Sequence, residues 1–191
     1  MATISIDPDK FEQVNAKAAS IRIERLAEGI SDFDLHDLCD STDAAIAAGG
    51  GFGWLAVPPR QKLQRYWRGC LLIDDRKVVI SRVDGVIAGS TQLHLAPSNN
   101  EAQAAIGTLT AHFVAPWARG LQLGGAQIRE AERWAVDLGL KAVKTDLRAT
   151  QSHAVTMLET MGYERWGTLD RYAFVDDQWV QGHFYFKDLA S

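Results

Sequence analysis

The order of predicted elements puts this 191-residue chain in the mixed α/β or α+β class. Three observations carry that expectation. Residues 78–83 and 86–95 are rich in β-formers and are joined by Asp84-Gly85, a strong hairpin turn signal. After a third strand near 105–114 the pattern changes to a glycine-bearing turn, an amphipathic helix, a short strand and a helix. A last segment, 169–186, reads as a hairpin turning near Asp176-Asp177.

The remaining elements follow in order. A polar start, residues 1–18, is expected to be flexible, and 19–191 to form one domain. In Ile21–Leu26, Ile, Ile and Leu alternate with Arg, Glu and Arg, which reads as a strand. Ser31 opens a helix, with Asp34 three residues on as an approximate capping box, and Gly49-Gly50-Gly51 ends it. A second helix starts near Pro59, with Leu63, Tyr66, Trp67, Cys70 and Leu71 on one face. The turn before the third helix is read as 115–124, and that helix runs to Gly139. Residues 143–147 read as a strand, and 152–161 as a final helix.

Composition excludes more than it selects. With 47% hydrophobic and 23% charged residues, the chain is no disordered tail, collagen-like fibre or coiled coil. A net charge of −4 gives no global basic field for nucleic acid. The charge is uneven: residues 1–57 hold four basic and ten acidic side chains, while 58–83 hold seven and two. Cys39 and Cys70 are too few for a disulfide scaffold and are read as buried thiols. The first residues lack a basic start and an apolar core, and no apolar run approaches the ~20 residues that span a bilayer. A cytoplasmic protein without a membrane partner is the expectation.

The informative segment is Phe113-Val-Ala-Pro-Trp-Ala-Arg-Gly-Leu-Gln-Leu-Gly-Gly-Ala126, a glycine-bearing turn between an apolar strand and an amphipathic helix. A helix N-terminus presents unpaired N–H groups and the positive end of the dipole, which suits a phosphate. Glycines at 120, 124 and 125 let the backbone approach such an anion. The turn lacks the Gly-Lys-Ser/Thr of a P-loop and the spacing of a Rossmann fingerprint. Asp146 follows Gly124 by 22 residues, where a ribose-binding acid would stand. On the glycines alone, an ordinary β-α turn and a dinucleotide site both stay open.

Val114-Ala-Pro116 followed by Arg119-Gly120-Leu-Gln122-Leu-Gly124 resembles the turn motif of the GNAT N-acetyltransferases, with Gln122 where that family usually has glycine. Gln151-Ser-His-Ala154 and Gly162-Tyr163 are similar to the family's later Asn-x-x-Ala…Gly-Phe helix, and the ending around Tyr172, Tyr185 and Lys187 looks most like the tabtoxin-resistance type. The likeness covers about 170 of the 191 residues. It implies one domain built on a twisted, mostly antiparallel mixed sheet of six to seven strands. The sheet is splayed where a cofactor inserts and carries helices on both faces.

The resemblance further implies direct acetyl transfer from acetyl-CoA to a small-molecule amine. The main chain of Leu121, Gln122, Leu123, Gly124 and Gly125 would hold the pyrophosphate, with Arg119 and Gly120 alongside. The edge of Phe113 and Val114 would pair with the pantetheine, and an N–H near Val114 would polarise the thioester carbonyl. Family members often carry a Glu on the central strand and a Tyr on the last helix, where this chain has Thr108 and Leu158. Asp146 and His112 are the candidate catalytic substitutes, and Tyr172 or Tyr185 a proton source. A catalytically weak acyl-CoA-binding module is the competing reading, and a dinucleotide-binding protein a third. Trp54 and Trp67 fall in the region that covers the acceptor pocket in this family. His94, His153 and His183 show no ligand spacing, so no metal is expected, and a homodimer is entertained. The run Arg60, Lys62, Arg65, Arg68 reads as a solvated helix face or as an attractor of anions.

Overall fold

The computed structural model describes residues 18–26, 29–50 and 52–189. The expectation of flexibility over 1–18 falls, but for its last residue, outside them. Seven strands and four α-helices follow in the order β1 (Ile21–Leu26), α1 (Asp32–Ala47), α2 (Arg60–Leu72), β2 (Arg76–Val83), β3 (Val86–His94), β4 (Ile106–Val114), α3 (Leu123–Asp137), β5 (Ala142–Arg148), α4 (Ser152–Thr160), β6 (Glu164–Val175) and β7 (Gln178–Asp188). They form one sheet in the order β1-β2-β3-β4-β5-β7-β6. Every neighbouring pair is antiparallel except β4 and β5.

Local chemistry sets the element ends. Ser31 caps α1 by accepting from the Asp34 N–H at 3.0 Å. Asp84 and Gly85 both adopt positive φ, +50° and +91°, the backbone of a type I′ turn. Asp176 and Asp177 do the same in the last hairpin, at +49° and +58°. Pro59 stands at the N-cap of α2, one residue before the first-turn place expected for it.

Alternation along β2 divides the core. Val79 faces α3 and α4 with Leu93, Leu109, Ile128 and Leu158, whereas Val78 and Ile80 face α1 and α2 with Leu38, Leu63 and Trp67. Helices therefore cover both faces. Truncating the fully buried Trp67 to alanine removes about 3–5 kcal/mol of such packing. The charge asymmetry of the sequence lies partly inside the fold. Arg60 pairs with Asp40 at 2.5 Å and Arg68 with Asp32 at 2.9 Å, linking basic α2 to acidic α1. Lys62 sits over the Trp54 ring at 6.0 Å, so much of the basic run is engaged within the molecule.

Two irregularities of β4 position everything that follows. First, β4 pairs with β5 only from Ile106 to Thr108 against Ala142 to Lys144. Beyond that point β4 stays with β3 and β5 with β7, so the sheet splits. Thr145 Oγ1 donates to the Leu109 carbonyl at 2.9 Å at the apex of the split. Second, the β3–β4 register slips between Ser90 and Gln92, leaving a bulge in which Ala111 adopts φ +47°. In a regular strand Leu109 and Phe113 would share a face, being four residues apart. Instead Leu109 packs in the α3/α4 core and Phe113 in the α1/α2 core. The extra residue reverses the parity of the strand and turns His112 toward α3.

Candidate active site

The glycine-bearing segment forms a short 3₁₀ turn at Pro116–Ala118, then a loop, then α3. The helix starts at Leu123, earlier than the sequence reading, so Gly124 and Gly125 lie in its first turn. Gly120 takes φ +85°, a conformation that disfavours any side chain. Gln122 caps the helix in the left-handed region, φ 58° and ψ 19°, without a side-chain capping bond. That geometry explains why glycine suits this position. The first main-chain bond into α3 runs from Ala126 N–H to the Gln122 carbonyl at 3.3 Å. Among the described residues the N–H groups of Leu123, Gly124 and Gly125 are therefore unpaired, and no acidic side chain stands in the first turn.

A left-handed L-residue costs roughly 1–2 kcal/mol, and glycine offsets this with its greater unfolded-state entropy, roughly 0.5–1 kcal/mol. Gln122→Gly is thus expected to raise stability by up to about 1.5 kcal/mol, read as a higher urea midpoint. A lower midpoint contradicts the strain assigned to Gln122.

Two cavities open on the split. A groove of about 630 Å³ lies over the start of α3 and is lined by Phe113, Val114, Arg119, Gly120, Gln122, Leu123, Gly124 and Gly125. Gly49, Gly50 and the start of α4 form its other wall. A chamber of about 550 Å³ fills the gap between β4, β5 and the β6–β7 hairpin. The two share His112, Gln151, Ala154 and Met157, so they meet at one junction. Of the cofactor-binding candidates from the sequence, Leu121 alone lies outside the groove lining, 39% exposed. Asp146 lines the chamber and His112 the junction.

Among the described residues the chamber holds one carboxylate, Asp146, which accepts a hydrogen bond from the Tyr172 hydroxyl. Burial, with the Asp146 contact second, holds the Tyr172 hydroxyl above its ordinary pKa and so protonated. Thr108 and Leu158 also line the chamber and offer no acid or base. Tyr185 does not reach it; that ring is fully buried and its hydroxyl donates to Glu159 at 3.1 Å. Trp67 is core, while Phe52, Gly53 and Leu55 supply the chamber wall beside Trp54. Cys39 and Cys70 are buried free thiols, with Cys39 pushed up to about 11 by desolvation.

Burial pushes His112 and His94 down to about 4, with Arg76 a second cause for His94. Both rings are neutral at pH 7, and each titrates near 6.5 in the unfolded chain. As pH falls below about 6.5 the unfolded state takes up protons first, so stability present at pH 7 declines toward pH 4. The thermal midpoint is expected to drop across that window, less steeply in His112→Gln. A flat midpoint from pH 7 to pH 5 contradicts the burial argument.

Among the described residues no cluster of three or more His, Cys, Asp or Glu is placed to hold a metal, and no helix is long and apolar enough to cross a membrane. Missed by the sequence reading were Met157 and the roof of Leu55, Phe174 and Val175, which long-range packing brings in. Gln151 was visible only as part of a motif.

A split sheet with two joined cavities, one capped by the bare N-terminus of a helix, defines a protein built to bring two substrates together. The model of the Acetyltransferase (GNAT) family matches residues 47–163, and the chain belongs to that family. A curated relative, an uncharacterized N-acetyltransferase in the hisH-hisA intergenic region of Azospirillum brasilense, is 48% identical over 130 residues, 68% of this chain and 75% of the relative. The fold is similar to a Sinorhizobium meliloti GNAT superfamily phosphinothricin acetyltransferase solved in complex with acetyl-CoA (TM-score 0.73, 16% identity, 90% and 89% of the two chains). It is also similar to a Staphylococcus aureus Mu50 N-acetyltransferase (TM-score 0.76, 14% identity, 89% and 99%).

Proposed function

We propose that this N-acetyltransferase passes an acetyl group directly from acetyl-CoA to the amine of a small molecule. The observation that carries the proposal is the pair of cavities meeting at His112, one at an anion-binding helix end and one at a carboxylate. The residues present fit CoA. Among the described residues three unpaired N–H groups and no opposing carboxylate suit a pyrophosphate, and Gly124 leaves its Cα bare toward the junction.

In this reading Leu123, Gly124 and Gly125 hold the pyrophosphate through their N–H groups, with Gly120 and Gln122 shaping the turn and Arg119 at its mouth. The unpaired edge of β4 at Phe113 and Val114 offers main-chain partners for the pantetheine arm. Acetyl-CoA supplies a thioester already activated toward an amine. Asp146 receives the proton that the acceptor's ammonium must lose, and Tyr172 orients its carboxylate. Holding both substrates at the junction supplies a further large part of the rate.

The chamber volume of about 550 Å³ suits a small acceptor. Residues 19–191 act as one domain in this reading, in the cytoplasm, where the free thiols stay reduced. Exposed Trp166, Phe174 and Trp179 on the outer hairpin favour a homodimer. The second reading, an acyl-CoA-binding module without turnover, is favoured by Thr108 and Leu158. Thiol release from acetyl-CoA over a panel of amino acids, polyamines and aminoglycosides separates the two. An amine-dependent release supports transfer; CoA binding without release from any amine supports the module.

A further inference from the structure

Behind His112 a chain of polar groups runs through the core. Ser81, Ser90, Thr91 and Gln127 are all fully buried, joining β2 and β3 to α3. One orientation of the Gln127 amide pairs both its oxygen and its nitrogen with complementary neighbours. Its oxygen accepts from Ser81 Oγ at 2.7 Å and from the Ser90 N–H at 3.2 Å, while its nitrogen donates to the Ser90 carbonyl at 3.3 Å and to Thr91 Oγ1 at 3.2 Å. The reverse orientation opposes donor to donor and acceptor to acceptor at Ser90, which costs about 1–3 kcal/mol for each buried mismatch.

Thr91 Oγ1 lies 2.6 Å from His112 Nδ1. One of its two lone pairs accepts from Gln127, and among the described residues its proton has no acceptor other than Nδ1. A neutral imidazole that accepts at Nδ1 carries its own proton on Nε2. Nε2 makes no hydrogen bond among the described residues. It faces Gly124, where an added Cβ would lie 3.3 Å from it, at the junction of the two cavities.

We infer that His112 is a fixed N–H donor at the point of transfer, held as the Nε2–H tautomer by the Gln127–Thr91 relay and aimed at the carbonyl oxygen of the acyl donor. The inference rests on the acetyl-transfer reading. It assigns His112 the opposite role from a base, because the lone pair a base would use is occupied at Nδ1. The acceptor's ammonium first loses one proton to Asp146. As the neutral amine nitrogen then bonds to the carbonyl carbon and the C–S bond breaks with its electron pair going to sulfur, the nitrogen's second proton passes to that sulfur and CoA leaves as the thiol. His112 keeps its proton throughout. A donor fixed in a desolvated site needs no reorganisation as charge grows on the oxygen. Thr91 and Gln127 act through His112 and are positioning residues.

Ring-¹⁵N NMR of the ligand-free protein, labelled at histidine, reads the tautomer independently of activity. His112 is expected to be neutral and protonated on Nε2 at pH 7, with that preference lost in Thr91→Val and kept in Thr91→Ser. A ring protonated on Nδ1 overturns the inference even if the protein acetylates amines. The expected tautomer in a wild type that binds CoA and releases no thiol overturns the transfer reading instead, and with it the assigned role. In kinetics His112→Leu is expected to lower kcat about 100-fold with CoA affinity within about threefold. His112→Gln, which retains an N–H donor but is no base, is expected to lose less than about tenfold. Equal losses in the two variants assign a base and overturn the inference.

Discussion

Gly124→Val is expected to abolish CoA binding while leaving the fold in place. A Cβ at this position already lies 3.3 Å from His112 Nε2 and from Met157 Sδ, and valine adds two methyl groups at that point. The N–H of residue 124 survives the change, so the effect isolates the close approach. Gly124 is in the first turn of α3, where valine is no poorer a helix former than the glycine it replaces. CoA affinity should fall at least about 100-fold, about 2.7 kcal/mol, with a thermal midpoint changed by only a few degrees. Calorimetric titration reads the first and a melting curve the second. Unchanged affinity would put the pyrophosphate somewhere other than this turn.

The second large effect is expected at Asp146. Asp146→Asn keeps the size and the Tyr172 contact but removes the carboxylate that lines the chamber. A positioned base contributes roughly 10²–10⁴-fold, about 3–5 kcal/mol of barrier, so kcat should fall within that range. CoA affinity should hold, because Asp146 lines the chamber and not the groove. Tyr172→Phe should reproduce a smaller part of the loss, since it frees the carboxylate without deleting it. A kcat within about threefold of wild type in Asp146→Asn would leave water as the base and reduce Asp146 to a surface charge.

Much of this architecture is legible in local chemistry. Asp84-Gly85 announces its hairpin because the I′ turn needs two positive φ values, and Ser31 announces α1 because its hydroxyl can cap. The turn from Arg119 to Gly125 is legible for the same reason: glycine marks where the chain bends sharply or lies close to something. The bulge at Ala111 is not legible. Nothing in Thr-Leu-Thr-Ala-His-Phe-Val distinguishes a regular strand from one that reverses its faces, yet this alone decides that His112 looks toward Gly124. Gln122 hides its left-handed backbone behind an ordinary side chain. The Tyr172–Asp146 contact spans 26 residues of chain and two strands, beyond the reach of any local signal. The relay from Gln127 to His112 likewise depends on α3 docking under β3, and in the sequence Thr91 and Gln127 read as unremarked polar residues.

In the proposed function the N-terminus of α3 receives a CoA pyrophosphate. Calorimetric titration of the wild-type chain with CoA and, in a parallel cell, with NAD decides the matter. Saturable CoA binding is expected, one molecule per chain, competed by acetyl-CoA, with no measurable heat from NAD. No binding of CoA, or NAD bound in its place, would overturn that placement.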